Sequence, residues 1–494
     1  MQVQVPIPTG SYQSGDLRAS VRRLVNCFAE NGSLTGPGFG AIPDAKQDTP
    51  TPVILRRAPG ISSFASDSTV NAVRGMWMMA GVEYAVIGQT LYSISSIGTI
   101  ASIGTGIAGT GLVRMTDNTQ CLIILIPGTN VAYTYTVVNG FAQLTDPGFT
   151  AFGAIDLGFI DSFIVFLALN GREFFNDDGQ IVSGTGPITF TNGNVFPREF
   201  GTDNFVGMCI QNRTISILGE RTSEFYINTG GSSTVGSPFS NAPDGYMQIG
   251  MLPGAAYCTV IQDNTFFWLA NDRTIRRLNG QTPVRISNHG IECVLESIDA
   301  TGSYGLAYAI GGHLFVAFTF PVAARTIVYD CTTGEWHEMS SSATGYWRPL
   351  CVHNAFGKYL MGDSQSGKIG QLDTTVRTEW GDPRNTSWIH QFIYSKHNRL
   401  SFRRLELVFG GGFAPLAGSQ DQTNPFVSLS VSDDGGERFR AFPMRSLGTN
   451  AKYNTRATWF NAGIGRDRVF QFSLSSDAQT WFTDLTADIE PGRW

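Results

Sequence analysis

The chain has 494 residues, of which 42% are hydrophobic, so a disordered chain is excluded and there is length for two or three domains. Charged residues make up only 15%, against roughly 25% in ordinary soluble domains. This is typical either of a surface that partners cover or of a β-rich protein with polar, uncharged loops. The formal net charge of −6 argues against avid binding of nucleic acid, which requires a basic face.

Residues 1–60 are predicted to form an N-terminal arm that packs on the C-terminal domain. Within it, residues 20–31 favour a short helix or a strand, and residues 32–40 and 43–52 are rich in Gly, Pro, Thr and Asp, which is typical of a loop or an extended arm. Residues 1–10 contain neither a basic nor an apolar run, so no secretory signal is predicted.

From residue 61 onward, short apolar runs alternate with turns made by Gly, Asn and Asp. The predicted strands include residues 83–87, 91–94, 265–269, 273–278, 283–286, 312–320, 326–330, 358–361 and 368–372. Strands at this spacing indicate an all-β antiparallel architecture. Because four-stranded units recur about every 40 to 50 residues, residues 61–380 are predicted to form a β-propeller, with the number of blades left open.

Residues 379–385 interrupt this pattern, and the strands beyond them follow at longer intervals. These strands are predicted at residues 389–394, 403–409, 426–431, 457–460 and 469–474. They favour a second, β-sandwich-like domain over residues 386–494, with one long loop at residues 410–424. The predicted fold class is therefore all-β, a propeller joined to a sandwich-like platform.

Cysteine and histidine spacing gives no sign of a metal site or a disulfide framework. The seven cysteines are odd in number and include no Cys-x-x-Cys pair, which is typical of free, mostly buried thiols in a reducing compartment. The six histidines show no H-x-x-x-H spacing. No apolar run is long enough for a bilayer, so the sequence predicts a soluble protein without a membrane span.

Two motifs resemble catalytic loops but lack the context that catalysis requires. Residues 104–109 fit G-x-G-x-x-G without a βαβ unit, and a loop between strands is the better interpretation. Residues 362–367 resemble a nucleophile elbow, but strands flank both sides where a helix is required, so a turn is predicted. We therefore predict no catalytic, cofactor-binding or metal-binding residues and leave binding residues undefined.

Two further motifs are structural. Residues 432–439 fit the Asp-box turn, Ser-x-Asp-x-Gly-x-x-aromatic, in which Ser and Asp bond the turn backbone and the aromatic ring packs beneath. Trp336 ends a strand–turn–strand unit and is expected between sheets, with a contact at the propeller rim as the alternative.

Several segments together resemble the packaged-DNA stabilisation proteins of short-tailed phages, which form the tail hub or nozzle. Residues 25–31 (Val-Asn-Cys-Phe-Ala-Glu-Asn) and 55–61 (Leu-Arg-Arg-Ala-Pro-Gly-Ile) are similar to N-terminal signatures of that family. The other similar segments are residues 144–149, 218–226, 267–269, 283–289, 328–338, 360–363, 432–436, 446–448 and 466–470. One departure is the pair Phe460-Asn461, where many relatives carry two basic residues after the tryptophan.

The resemblance implies a structural virion protein of the phage tail, made in the host bacterial cytoplasm. Its implied assembly is a homohexameric ring below the portal and its adaptor ring, the head-to-tail connector. The ring would continue or seal the DNA exit channel, let genomic DNA pass without specific binding, and support tail fibres, spikes or a needle. No cofactor and no enzymatic activity are implied. The alternative left open is a propeller-type carbohydrate-binding or glycoside-processing protein.

Overall fold

The computed structural model describes residues 2–13, 21–31, 53–178, 188–190, 195–230, 238–390, 393 and 398–492. Its N-terminal strands are β1 (Gln2–Val5), β2 (Tyr12–Gln13), β3 (Val21–Val25), β4 (Cys27–Asn31), β5 (Val53–Arg57) and β6 (Gly60–Ser66). The prediction for residues 20–31 left helix and strand open, and residues 21–31 are strand, interrupted at Asn26 by a positive φ of 57°. Residue 20 and the loop segments 32–40 and 43–52 lie outside the described residues.

Five antiparallel four-stranded sheets follow in chain order. Blade one has β7 (Val73–Met79), β8 (Val82–Ile87), β9 (Thr90–Ile94) and β10 (Ile100–Thr105), and blade two has β11 (Arg114–Asp117), β12 (Cys121–Leu125), β13 (Ala132–Thr136) and β14 (Gly140–Gln143). After helix α1 (Pro147–Phe152), blade three has β15 (Ala154–Ile160), β16 (Phe163–Ala168), β17 (Glu173–Asn176) and β18 (Val195–Pro197). Blade four has β19 (Phe205–Gln211), β20 (Thr214–Gly219), β21 (Ser223–Asn228) and β22 (Phe239–Met247), and blade five has β23 (Thr259–Gln262), β24 (Thr265–Leu269), β25 (Ile275–Asn279) and β26 (Thr282–Arg285).

The last two blades depend on strands from elsewhere in the chain. After helix α2 (His289–Glu296), blade six has β27 (Tyr304–Ile310), β28 (His313–Phe320), β29 (Arg325–Asp330) and β30 (Trp336–Met339). Blade seven has β31 (Pro349–Ala355), β32 (Lys358–Asp363) and β33 (Lys368–Asp373), and β6 completes it by pairing antiparallel with β33. The first strands of successive blades contact one another, and β31 contacts β7, so the described residues form a closed seven-bladed propeller.

The remaining strands form a sandwich: β34 (Thr386–Ile389), β35 (Leu400–Gly410), β36 (Phe426–Ser432), β37 (Arg440–Ala441), β38 (Arg445–Ser446), β39 (Ala457–Gly465), β40 (Val469–Leu474) and β41 (Trp481–Pro491). A short helix, α3 (Gln420–Thr423), lies in the long loop before β36. One sheet has six strands in the order β39-β35-β41-β5-β4, with β1 also paired to β41. Its core joins both ends of the chain, since Leu24 and Leu55 are buried with Trp388, Trp459 and Phe472.

The two domains share one continuous sheet. Strand β3 pairs parallel with β30 of blade six at Val25 and Glu338, and antiparallel with β34 of the sandwich. The result is an eleven-stranded sheet that runs from β27 of the propeller to β37 of the sandwich. Hydrogen bonds between strands therefore couple the propeller to the platform, in addition to side-chain packing.

Candidate functional site

The central cavity of the propeller, about 710 Å³, is lined by the first strands of the blades. Arg114 points into it, with Nε 3.1 Å from Asp156 Oδ1 and its guanidinium carbon 4.9 Å from the centre of the Tyr257 ring. Burial raises the pKa of Asp156, and Arg114 opposes that rise. Between blades seven and one, His353 Nδ1 lies 2.9 Å from Glu83 Oε2. Arg114, Asp156 and His353 thus line the cavity, and each of the two carboxylates, Asp156 and the buried Glu83, is paired with a basic side chain.

A second feature is the connection between the domains. Glu338 on β30 is buried and accepts paired hydrogen bonds from Arg23, at 3.0 and 2.9 Å, and from Arg325, at 3.1 and 2.8 Å. Burial alone would raise the pKa of Glu338, but the two guanidiniums outweigh it and hold the pKa below its usual value. Asn26, between β3 and β4, donates from Nδ2 to Ser340 O at 2.8 Å and to Asn385 O at 2.6 Å.

The third feature is the outer surface of the sandwich around edge strand β39, which we call the edge face. Phe460 and Ile464 on β39 are 66% and 62% exposed. Phe460 lies opposite Arg404 on β35, and Ile464 lies opposite Ser401. Glu406 is paired with both Arg404 and Arg456, the latter at 2.6 Å. Among the described residues, no strand pairs with the outer side of β39.

The long loop between β35 and β36 contributes a second exposed apolar surface, which we call the apolar end. Leu416 is 86% exposed and Tyr453 is 61% exposed, and the Phe413 ring packs on Tyr453 at 5.9 Å and on Trp481 at 5.3 Å. The propeller surface also has exposed apolar side chains: Ile97 lies singly at a hairpin turn, Val137 and Val138 are neighbours at another, and the rings of Phe200 and Tyr246 lie 5.8 Å apart. Grouped apolar exposure of this kind is typical of surfaces that contact other proteins.

The two catalytic look-alikes are structural. The carbonyl groups of the glycine-rich loop are used internally, since Arg74 donates to Ala108 O at 2.8 Å and the Tyr133 hydroxyl donates to Gly106 O at 2.9 Å. The 362–367 segment is the turn between β32 and β33, and the Asp363 carboxylate accepts two hydrogen bonds from Arg348, at 2.7 and 3.0 Å. Both segments are therefore held in place by hydrogen bonds to side chains of neighbouring strands.

The two structural motifs fold as expected. In the Asp-box turn, Asp434 Oδ1 accepts hydrogen bonds from the backbone N–H groups of Glu437 and Arg438, at 3.1 and 3.0 Å. Ser432 Oγ accepts the Gly436 N–H at 2.9 Å, and Phe439 is half-buried against Ile389 and Val469. Trp336 is 1% exposed in the core, so packing between sheets is confirmed and the alternative of a rim contact is wrong.

All seven cysteines are unpaired, and four of them, Cys27, Cys121, Cys209 and Cys258, are buried. Burial raises the pKa of each of these four thiols to about 12, so they remain protonated and unreactive near neutral pH. Within the described ranges, no three His, Cys, Asp or Glu side chains are grouped to hold a metal ion. In the same part of the chain, no helix has the length and apolar character to cross a membrane.

The fold defines a protein built from a seven-bladed propeller and a β-sandwich. Residues 42–377 match the family described as bacteriophage P22 Gp10, beta-propeller, and residues 386–490 match the family described as bacteriophage P22 Gp10, beta-sandwich. The chain therefore belongs to the P22 Gp10 family: it is a structural protein of the phage tail, located in the virion, and stabilises packaged DNA.

No curated protein matches the chain in sequence. Among solved structures, virginiamycin B lyase from Staphylococcus aureus is similar at 10% identity with a TM-score of 0.42, covering 63% of this chain and 98% of the lyase. A streptogramin B lyase is similar at 13% identity with a TM-score of 0.38, covering 70% of this chain and 98% of that one. Similarity this low carries no argument about activity.

Proposed function

We propose that the chain is a subunit of a homohexameric tail nozzle ring. In this proposal the ring lies below the adaptor, the head-to-tail connector, continues or seals the DNA exit channel, and supports tail fibres, spikes or a needle. The sandwich, with the N-terminal segment, makes the ring and adaptor contacts, while the propellers project outward. In this division of the chain, the arm is residues 1–60, the propeller is residues 61–380 and the platform is residues 386–494.

The observation that carries the proposal is the edge face. The outward-facing side chains of Phe460 and Ile464 form an apolar surface that another chain can cover. The carbonyl groups of Thr458, Ala462 and Ile464 on this strand already accept hydrogen bonds from Arg445 and Arg468, so the proposed contact is made by side chains. A ring forms when such a surface on one copy contacts a different surface on the next copy. The rotation that relates neighbouring copies must also lead back to the first copy when it is repeated. The apolar end around Leu416 and Tyr453 is a candidate for that second surface.

Charge supports passage of DNA without retention. Basic side chains that neutralise many phosphates would bind the genome and hold it in place. The net charge of −6 disfavours such binding. We also propose that the protein has no enzymatic activity, because Asp156 in the central cavity is paired with Arg114, and the buried Glu83 is paired with His353, so the two are not placed as a free catalytic pair.

Mass measurement of the purified protein, alone and mixed with its adaptor ring, tests the assembly. Six copies in a closed ring, formed alone or on the adaptor, are expected. A protein that stays monomeric with the adaptor present contradicts the proposal. Hydrolysis of a polysaccharide by the pure protein, lost on substitution of one carboxylate, would contradict the absence of enzymatic activity.

A further inference from the structure

Helix α2, which connects blades five and six, carries a histidine and a cysteine one turn apart on its solvent-accessible face. His289 is exposed and Cys293 is partly exposed. Residues four positions apart on a helix lie on the same face, and here Cys293 Sγ lies 3.5 Å from His289 Nε2. This mixed spacing, His-x-x-x-Cys, differs from Cys-x-x-Cys and H-x-x-x-H, the two patterns on which the predicted absence of a metal site depends.

The separation of the two atoms suits a tetrahedral zinc ion. A Zn–S bond of about 2.3 Å and a Zn–N bond of about 2.0 Å, at an angle of about 109°, place the sulfur and the nitrogen about 3.5 Å apart. Sγ and Nε2 already have this separation in the structure. A zinc ion that bridges them therefore leaves the distance between the two side chains unchanged.

The backbone that carries the pair is held at both ends of the helix. At its start, Asn288 Oδ1 accepts the Ile291 N–H at 3.0 Å, and Ile291 and Leu295 are buried in the propeller core. At its end, Arg273 Nη1 donates to Leu295 O at 2.9 Å and to Ile298 O at 2.8 Å. Because the helix is fixed before any metal binds, little ordering entropy is lost on binding.

Two acidic side chains lie on the same helix as the pair. Glu292 is engaged, because its carboxylate is paired with Arg285 and accepts the Ser287 hydroxyl at 2.6 Å. Glu296 is exposed and follows Cys293 by three positions, so its charge adds a negative potential on the same face. Within the described ranges, no group of three His, Cys, Asp or Glu side chains is placed to hold a metal ion, so the pair supplies two ligands and water would supply the others.

We propose that His289 Nε2 and Cys293 Sγ bind one zinc ion on the propeller surface. An imidazole nitrogen and a thiolate suit Zn²⁺, whereas Mg²⁺ and Ca²⁺ prefer oxygen ligands. The thiol loses its proton to solvent as the Zn–S bond forms, and the imidazole binds in its neutral form. Gly290 packs closely against Tyr12 and Gln13, so the ion would stabilise the helix on which the N-terminal segment rests. This proposal does not depend on the nozzle ring.

Zinc chloride is the probe, titrated near neutral pH into the full chain after chelator treatment and dialysis. The reductant is a phosphine, because free thiols bind zinc. Calorimetry is expected to show saturable binding of one zinc ion per chain. Cobalt chloride, added in place of zinc, is expected to give the absorption band of charge transfer from a thiolate to the metal. Magnesium chloride at equal concentration is expected neither to bind nor to displace zinc.

Cys293→Ser and His289→Gln each remove one ligand at a solvent-accessible position, so both variants are expected to fold. Each is expected to weaken zinc binding about tenfold or more, and Cys293→Ser is also expected to abolish the cobalt band. Cys331→Ser is the matched control. Cys331 is a half-buried free thiol whose pKa is raised by burial to about 12, so its loss should leave zinc binding unchanged.

Titration of the unaltered protein decides the question even where a variant fails to fold. Absence of saturable zinc binding overturns the proposal, and so does a cobalt complex without the thiolate band. Zinc binding that both Cys293→Ser and His289→Gln retain in full also overturns it. If magnesium displaces the zinc at equal concentration, the metal is held by oxygen ligands and the assignment to His289 and Cys293 is wrong.

Discussion

Trp336 connects blade six to the segment that follows blade five. Its ring is 1% exposed and packs on Tyr329 at 4.8 Å, and its Nε1 donates to Ile286 O at 3.3 Å. Trp336→Ala is expected to destabilise the propeller by about 3 to 5 kcal/mol, because emptying a buried aromatic site removes both contacts and burial. Thermal or urea unfolding monitored on the propeller measures the change. Val138→Ala, at an exposed turn, is the control, and a Trp336→Ala midpoint equal to that of the control would contradict the prediction.

His337 is buried between blade six and β4, close to the rings of Phe28 and Phe315. Burial lowers its pKa to about 4 from the ordinary 6.5. The unfolded chain therefore takes up the proton at a higher pH than the folded chain does. The contribution of His337 to stability is fully present above about pH 6.5 and is lost as pH falls toward about 4. Protonation of this one imidazole should lower the free energy of unfolding by about 2 kcal/mol between about pH 7 and pH 4.5.

Stability measured across that pH range in His337→Gln tests this effect. The variant is expected to lose stability less steeply than the unaltered protein, while His289→Gln, which replaces an exposed histidine, serves as the control for loss of one imidazole. Identical slopes in the unaltered protein and His337→Gln would show that another group carries the acid sensitivity.

Individual arginines show how far residue roles could be predicted from sequence. Among the arginines in the last third of the chain, Arg403, Arg404 and Arg456 are exposed. Arg468 is instead 1% exposed, bonded to Asp433 at 2.6 and 2.8 Å and to the carbonyls of Ala462 and Ile464. Its role depends on a carboxylate 35 residues earlier, which local sequence cannot indicate.

At the scale of elements, β6 closes the propeller by joining a blade made from residues almost 300 positions later. Gly60 begins this strand, and a Cβ there would collide with the carbonyl of Thr378 and lie 2.8 Å from Val376 O. Gly60→Val should therefore destabilise the closure by about 3 kcal/mol, as overpacking against backbone does. Hydrogen exchange of β31 to β33 and thermal unfolding measure the effect.

The control for this change is Gly111→Val. Gly111 is exposed, its φ is not in the left-handed region, and a Cβ there has no neighbour within 4 Å. Equal exchange rates of blade seven in the two variants would mean that β6 tolerates a side chain at its start and that closure is not the sensitive step.

The hairpins of the blades could be predicted because their strands and turns are local in sequence. Residues 83–87 and 91–94 fall within β8 and β9, and residues 368–372 fall within β33. The shared sheet could not be predicted, because β3 pairs with β30 and β34, more than 300 residues away. Such pairings are set by the closed ring and by the core of the sandwich, so a pattern of alternation within β3 alone does not specify them.

At the scale of the whole molecule, the N-terminal segment is part of both domains. Leu24 and Cys27 are fully buried in the sandwich core, and Phe28 packs with blade six. Deleting residues 1–30 would therefore remove β3 and β4 and destabilise the platform, so weaker assembly of that truncation would not isolate a contact with the adaptor. A test of assembly needs surface substitutions that leave both cores intact.

Phe460→Asp combined with Ile464→Asp meets that requirement. Both side chains are exposed in the single chain, so charge there costs little stability, whereas burial of two carboxylates in a subunit contact is strongly unfavourable. We expect folded monomers with an unchanged thermal midpoint and loss of the hexamer by mass measurement. Ile97→Asp combined with Val138→Asp, at exposed propeller turns, is the control and should assemble normally. A closed ring cannot bury two unpaired charges in each of its interfaces without becoming weaker. If the Phe460→Asp and Ile464→Asp variant forms rings at the same protein concentration as the unaltered protein, the subunit contact lies away from the edge face.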